Sequence, residues 1–178
     1  MRSLVVALIG VVAFASGVML GFKLDSGNDS TTTAELPSGG LPAAVEETRA
    51  ALLAAAESGD YEAVERLIPS QGGFRYTFGG PVDGGPIAYW RQLEENTPER
   101  PLETLAAVLQ MPYTLSHGYY YWPFAYDVSE VEDLSPHERE LLAPLGALDP
   151  LLVEGTGYLG WRAGISPDGT WALFVAGD

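Results

Sequence analysis

Residues 3–22, SLVVALIGVVAFASGVMLGF, carry no charge and few polar side chains, with Arg2 ahead of them and Lys23 behind. A helix of that length rises about 30 Å, the thickness of a bilayer core, and the run therefore predicts a transmembrane anchor over 1–24. Ala13-Phe14-Ala15 also offers the small–x–small pattern read by signal peptidase, with 4–12 as the apolar core of a signal segment and a secreted product cut after Ala15. Hydrophobicity continues through Val18, Met19, Leu20 and Phe22, which favours an uncleaved anchor. A very short tail before the run keeps the N-terminus cytoplasmic and places the C-terminal part outside, single-pass. Ala13, Gly17 and Gly21 recur every four residues on one face and can seat a second copy as a homodimer.

Periodicity vanishes over 25–41, DSGNDSTTTAELPSGGL, which reads as a flexible linker. From 42 to 178 it returns, over a length suited to one domain. Pro42 takes a first-turn position, and Val45, Leu52, Leu53 and Ala56 supply the apolar side of a helix over 42–58. Gly59-Asp60 breaks it, and Tyr61, Val64, Leu67 and Ile68 mark a second, short helix. Phe74, Tyr76 and Phe78 alternate with Arg75 and Thr77, predicting a strand over 74–78. A glycine-rich loop over 79–86 leads to a helix over 87–95. Leu102, Leu105, Ala106 and Leu109 then fall at i, i+3, i+4 and i+7 behind Pro101, and Pro112 ends that helix.

An aromatic, strand-like run over 113–126 precedes Ser135-Pro136-His137-Glu138, in which Ser135 caps a helix, Pro136 takes its first position and Glu138 folds back on the Ser135 amide. The chain closes on a hairpin whose turn is Pro167-Asp168-Gly169. Strict alternation puts Trp161, Ala163 and Ile165 on the buried face of one strand, and Trp171, Leu173 and Val175 on that of the other.

The stretch RAALLAAAESGDYEAVERLI, 49–68, resembles the helical opening of NTF2-like (SnoaL-like) domains, which implies a long and a short helix packed across a curved sheet. GWRAGISPDGTWALFVAGD, 160–178, resembles the closing segment of a group of exported bacterial proteins of unknown function, and Tyr121-Trp122-Pro123 matches their Trp-Pro element. That resemblance implies a bacterial envelope address and no particular activity.

Charge narrows the partners. Of the nine basic residues, Arg2 and Lys23 flank the apolar run, which leaves seven arginines against 24 acids, a formal −17. Such a surface repels nucleic acid and anionic headgroups. The absence of cysteine removes disulfide, metal-thiolate and Cys-nucleophile chemistry. Two histidines in different settings make no zinc site. No phosphate loop, His-Glu-x-x-His or Gly-x-Ser-x-Gly occurs, so neither a metal nor a cofactor is expected.

His117, in a turn-like Ser-His-Gly, is the candidate general base, with Asp83 or Asp127 as its carboxylate. His137 falls in a capped first turn and reads as structural or surface. Along 119–124 alternate rings face opposite ways, so one set is core and the other an aromatic surface suited to sugars, peptides or small apolar ligands. Tyr119, Tyr121 and Trp122 are its candidate contacts. Arg75, Arg91 and Arg162 follow aromatic residues and can converge as an anion clamp or pair with Asp83, Asp127 or Asp168.

The expected fold is α+β: a transmembrane helix, then helices packed on an antiparallel sheet built from 74–78, 119–124 and the terminal hairpin. The expected function is a non-enzymatic, membrane-tethered envelope module that binds a ligand or protein partner through an aromatic cleft. The alternative is an NTF2-like hydrolase or isomerase using His117 with a carboxylate.

Overall fold

The computed structural model describes residues 40–71 and 73–177, all within one unit. The anchor, the cleavage site after Ala15, the Ala13/Gly17/Gly21 stripe and nearly all of the linker lie outside the described residues. Among the described residues no helix is long and apolar enough to cross a membrane.

The domain is α+β. Helix α1, Ala43–Glu57, presents Val45, Leu52, Ala55 and Ala56 inward. Gly59, at φ 68°, takes the left-handed turn that stops it. Asp60 then caps α2, Tyr61–Glu65, its carboxylate accepting from the amides of Glu62 (2.9 Å) and Ala63 (3.1 Å). Helix α3 spans Gly85–Asn96 and buries Trp90. Helix α4, Pro101–Gln110, opens on proline and buries Leu102, Leu105, Ala106, Val108 and Leu109, as its spacing predicts. Leu105 and Leu109 are fully buried, each stabilising the fold by about 1.5–3 kcal/mol. Arg49 of α1 donates through Nε to the Leu109 carbonyl (2.9 Å), placing a cation on the negative end of α4.

Strands β1, Thr114–Ser116, and β2, Tyr119–Trp122, form a hairpin whose two-residue turn is His117-Gly118, with φ of 50° and 80°. The chain then makes a short 3₁₀ turn, Phe124–Asp127. Helix α5, Pro136–Leu142, carries the expected capping box: Ser135 Oγ accepts from the Glu138 amide (3.3 Å) and Glu138 accepts from the Ser135 amide (2.8 Å). A one-turn α6, Leu148–Leu151, leads to a small hairpin of β3, Leu152–Val153, and β4, Gly157–Tyr158. Strands β5, Arg162–Ile165, and β6, Trp171–Val175, complete an antiparallel sheet of order β1-β2-β5-β6.

Two expectations fail here. The 74–78 segment is not a strand of the antiparallel sheet. It makes one isolated parallel bridge, between Arg75 and Leu173. The Arg75 amide donates to the Ala172 carbonyl (3.0 Å) and its carbonyl accepts from the Phe174 amide (2.9 Å). The glycine-rich loop then folds back, and Tyr76 Oη accepts from the Val82 amide (2.9 Å), so the pairing cannot propagate. The second failure is the face alternation of β6. Gly164 pairs with Leu173 but Ile165 pairs with Trp171, so Ala172 is an extra residue in a β-bulge. The bulge resets the parity: Trp171 and Phe174 both enter the core, while Leu173 and Val175 turn to the opposite face.

The sheet's inner face, with Trp122, Ala163, Ile165, Trp171 and Phe174, packs with α1, α4 and Trp90 in one core. A second apolar cluster, around Phe124, Ala125, Leu134, Leu142 and Tyr158, holds the segment that follows β2.

Candidate functional site

The outer face of the sheet is built by the same alternation that builds the core. Thr114, Tyr121 and Gly164 are cross-strand neighbours, and Leu173 follows across the last pair. A Cβ on Gly164 would stand 3.0 Å from Leu173 Cγ and 3.2 Å from Tyr121 Cε1. The missing side chain therefore lets the Tyr121 ring lie down across β5 against Leu173. Tyr126, delivered by the 3₁₀ turn, stacks on Tyr121 with ring centroids 3.8 Å apart and planes 15° from parallel. Tyr119 continues the row at 6.1 Å from Tyr121.

Two arginines border these rings. Arg162 shares the outer face with Gly164, and its guanidinium carbon sits 5.8 Å from the Tyr126 centroid and 5.4 Å from that of Phe78. Its Nη2 donates to the Gly177 carbonyl (2.7 Å), which fixes the head group. Arg75 approaches Phe78 at 5.6 Å. Phe78, Tyr121, Tyr126 and Leu173 thus surround an open pocket of about 230 Å³ together with both arginines. Burial, and after it the Tyr126 hydroxyl, pushes the Tyr121 pKa from its ordinary 10.0 up to about 12. The phenol is therefore a neutral donor and acceptor at any physiological pH.

The predicted site residues divide clearly. Tyr119 is 38 % exposed, Tyr121 is 7 % exposed and forms the pocket wall, and Trp122 is 1 % exposed in the core. Trp122 therefore offers no surface to a ligand, since its side of β2 is the one packed against the helices. Of the three arginines, Arg75 and Arg162 meet over Phe78, whereas Arg91 lies over the Tyr61 ring at 5.1 Å. Asp168 holds the terminal turn, accepting from Ser166 Oγ and the Thr170 amide, and these contacts keep its carboxyl below the usual range.

His117 and Asp127 are joined through a third residue. Ser116 Oγ donates to Asp127 Oδ1 (3.0 Å) and lies 3.0 Å from His117 Nδ1, while Thr114 Oγ1 donates to Asp127 Oδ2 (3.4 Å). With the Ser116 proton directed at the carboxylate, His117 supplies the proton of its own contact, which makes Nδ1 the protonated nitrogen and leaves Nε2 the basic one. Serine stands between the acid and the imidazole, so imidazole does not activate the hydroxyl as in a nucleophilic triad. Asp83 sits exposed in the loop before α3, and no hydrogen bond links it with His117 or Asp127 among the described residues. No three of His, Asp or Glu gather as metal ligands among the described residues.

The contribution of Tyr126 and Phe78 to one pocket was hidden in the chain, because it depends on the 3₁₀ turn and the bulge, whereas the convergence of Arg75 and Arg162 was among the expected arrangements. For Tyr126 the available signal was the run of rings that continues to it. Compared with protein-family models, curated proteins and solved structures, the chain finds no match.

Proposed function

We propose that the chain is a membrane-tethered envelope module that binds a ligand or protein partner on the outer face of its sheet, without chemistry of its own. The reading rests above all on the ring row of Tyr119, Tyr121 and Tyr126, ending in the pocket walled by Phe78, Arg75 and Arg162. The exposed rings of Tyr119 and Phe78, backed by the stacked Tyr121–Tyr126 pair, fit the flat side of a sugar ring or an aromatic peptide side chain. The exposed guanidinium of Arg75 favours a ligand that also carries an acidic group, whereas that of Arg162, 6 % exposed, is turned onto the carbonyls of Tyr158, Gly160 and Gly177 and holds the pocket wall in place. The membrane tether and envelope address come from residues 3–22, and the full chain is expected to fractionate with bacterial membranes and to resist alkaline extraction. A soluble species beginning at Ser16 would replace the tether by a cleaved signal.

Binding is tested by titrating the full chain in nanodiscs with soluble glycan oligomers and with acidic, aromatic peptides. Phe78→Ala and Tyr119→Ala remove half-exposed rings without opening the core, and each is expected to weaken binding about 30-fold, as aromatic anchors central to a contact do. Unchanged affinity in both variants would remove the outer face from the function.

A second reading has one observation in its favour. The Ser116 bridge ties the exposed His117 to Asp127, the pairing that an NTF2-like hydrolase or isomerase using both residues would need. Under that reading His117→Ala abolishes turnover with little effect on affinity.

A further inference from the structure

A second cavity, about 480 Å³, shares no residue with the outer-face pocket. Its wall mixes apolar groups, Ala107 of α4, Leu145, Leu151, Leu159 and the indole of Trp161, with the polar side chain of Thr104. Its mouth carries the carboxylates of Glu99 and Glu103. Trp161 is held at both ends. Its ring stacks on Phe174 (centroids 4.6 Å, planes 29° apart), and its Nε1–H donates to Glu99 Oε2 (2.9 Å). One indole face is therefore covered by Phe174, while the residue itself lines the cavity. Arg100, also at the mouth, turns Nη1 onto the carbonyls of Glu94, Thr97 and Glu99 at 3.4, 3.4 and 2.8 Å.

We infer that this cavity binds a small amphipathic cation, an amine or quaternary ammonium group carried on an apolar body. The volume lies in the range of small-molecule sites, whose walls are apolar with a few fixed polar groups. A cation at the mouth meets two carboxylates and an electron-rich indole, so Coulomb attraction and the ring quadrupole act together. The apolar body occupies the leucine-lined depth. An anion of the same shape faces Glu99 and Glu103 with only Arg100, tied to backbone carbonyls, to offset them, and the chain's net charge of −15 reinforces that selection.

The test uses the full chain in nanodiscs, with empty nanodiscs as blank, and three soluble probes of matched size: benzyltrimethylammonium, benzyl alcohol and benzenesulfonate. The readout is the Trp161 indole N–H resonance, assigned by its loss in Trp161→Phe. Benzyltrimethylammonium is expected to shift it saturably, benzyl alcohol weakly, and benzenesulfonate not at all. Glu103→Gln, on an exposed helix position, is expected to weaken the cation about tenfold while leaving benzyl alcohol unchanged. Glu99→Gln keeps an acceptor for the indole and removes only the charge, so the same selective loss is expected there. Absence of a saturable shift, equal binding of the sulfonate, or indifference of the cation to both glutamine variants would overturn the assignment. Phe78→Ala should leave this titration untouched, which separates its outcome from that of the outer-face reading.

Discussion

Trp171→Ala is the perturbation that asks most of the fold, because Trp171 begins the last strand and would be expendable if the terminal hairpin were an appendage. Its side chain is 1 % exposed, its ring centre lies 4.5 Å from that of Phe74 and 6.1 Å from that of Trp90, and its strand position pairs with Ile165. Burial of a ring of about 150–250 Å² at about 25 cal/mol per Å² gives roughly 4–6 kcal/mol. Partial collapse of the cavity and residual burial in the unfolded chain reduce this, so a loss of about 3–5 kcal/mol is expected. A second feature sharpens the test. The Nε1–H groups of Trp171 and Trp90 are both buried without a hydrogen-bond partner among the described residues, a state that costs about 1–3 kcal/mol per donor. Trp171→Phe forfeits some ring volume but removes the orphaned donor, and is expected within about 1 kcal/mol of the parent. Urea unfolding followed by far-UV circular dichroism reads both variants. A Trp171→Ala loss below about 1 kcal/mol, or a Phe variant as unstable as the Ala variant, would refute the reasoning.

Three further outcomes follow from single contacts. Gly169 has φ 86°, and a Cβ there would sit 2.7 Å from the Ala44 carbonyl oxygen, where Thr48 Oγ1 also donates to the Gly169 carbonyl (2.6 Å). Gly169→Ala is therefore expected to cost about 2 kcal/mol or more in urea unfolding, and a neutral result would detach the hairpin turn from α1. Gly164→Ala pushes the Tyr121 ring and Leu173 off the sheet at a cost of about 1–2 kcal/mol, and should bring Tyr121 ionisation back toward pH 10. Burial raises the pKa of Tyr61, Tyr121 and Tyr158, with Tyr121 at about 12. The folded chain keeps these protons while the unfolded chain releases them above pH 10, so their contribution is intact below pH 10 and falls as pH rises toward 12. In a tyrosinate absorbance titration, part of the signal from the nine tyrosines should appear only with loss of ellipticity. Complete ionisation near pH 10 in a still folded chain would contradict that.

The helices were legible because their signals are local. The apolar spacing of α4, the Gly59-Asp60 break and the Ser135/Glu138 box each lie within a few residues and depend on no distant partner. The 74–78 strand misled for the same reason: ring–polar alternation marks an extended segment, but a ladder needs a neighbour beyond one bridge, and Tyr76 is drawn instead to Val82. Alternation along β2 separated Tyr119 and Tyr121 from Trp122, yet could not say which side was core. In β6 one extra residue, Ala172, inverted the parity of Leu173 and Val175, and a bulge of that kind leaves no mark in a hydrophobic pattern. The Ser116 link between His117 and Asp127 spans eleven residues and requires the 3₁₀ turn to bring Asp127 back over β1.

Hydroxyl-radical footprinting of the full chain, with and without the tightest ligand from the glycan and peptide panel, tests the central claim most directly. Phe78 and Tyr119 lie on the outer face at 40 % and 38 % exposure, while Leu115, at 51 %, pairs with Tyr120 and belongs to the opposite face. The account predicts protection of Phe78 and Tyr119 with Leu115 unchanged. Protection of Leu115, or none at Phe78 and Tyr119 at saturating ligand, would contradict it.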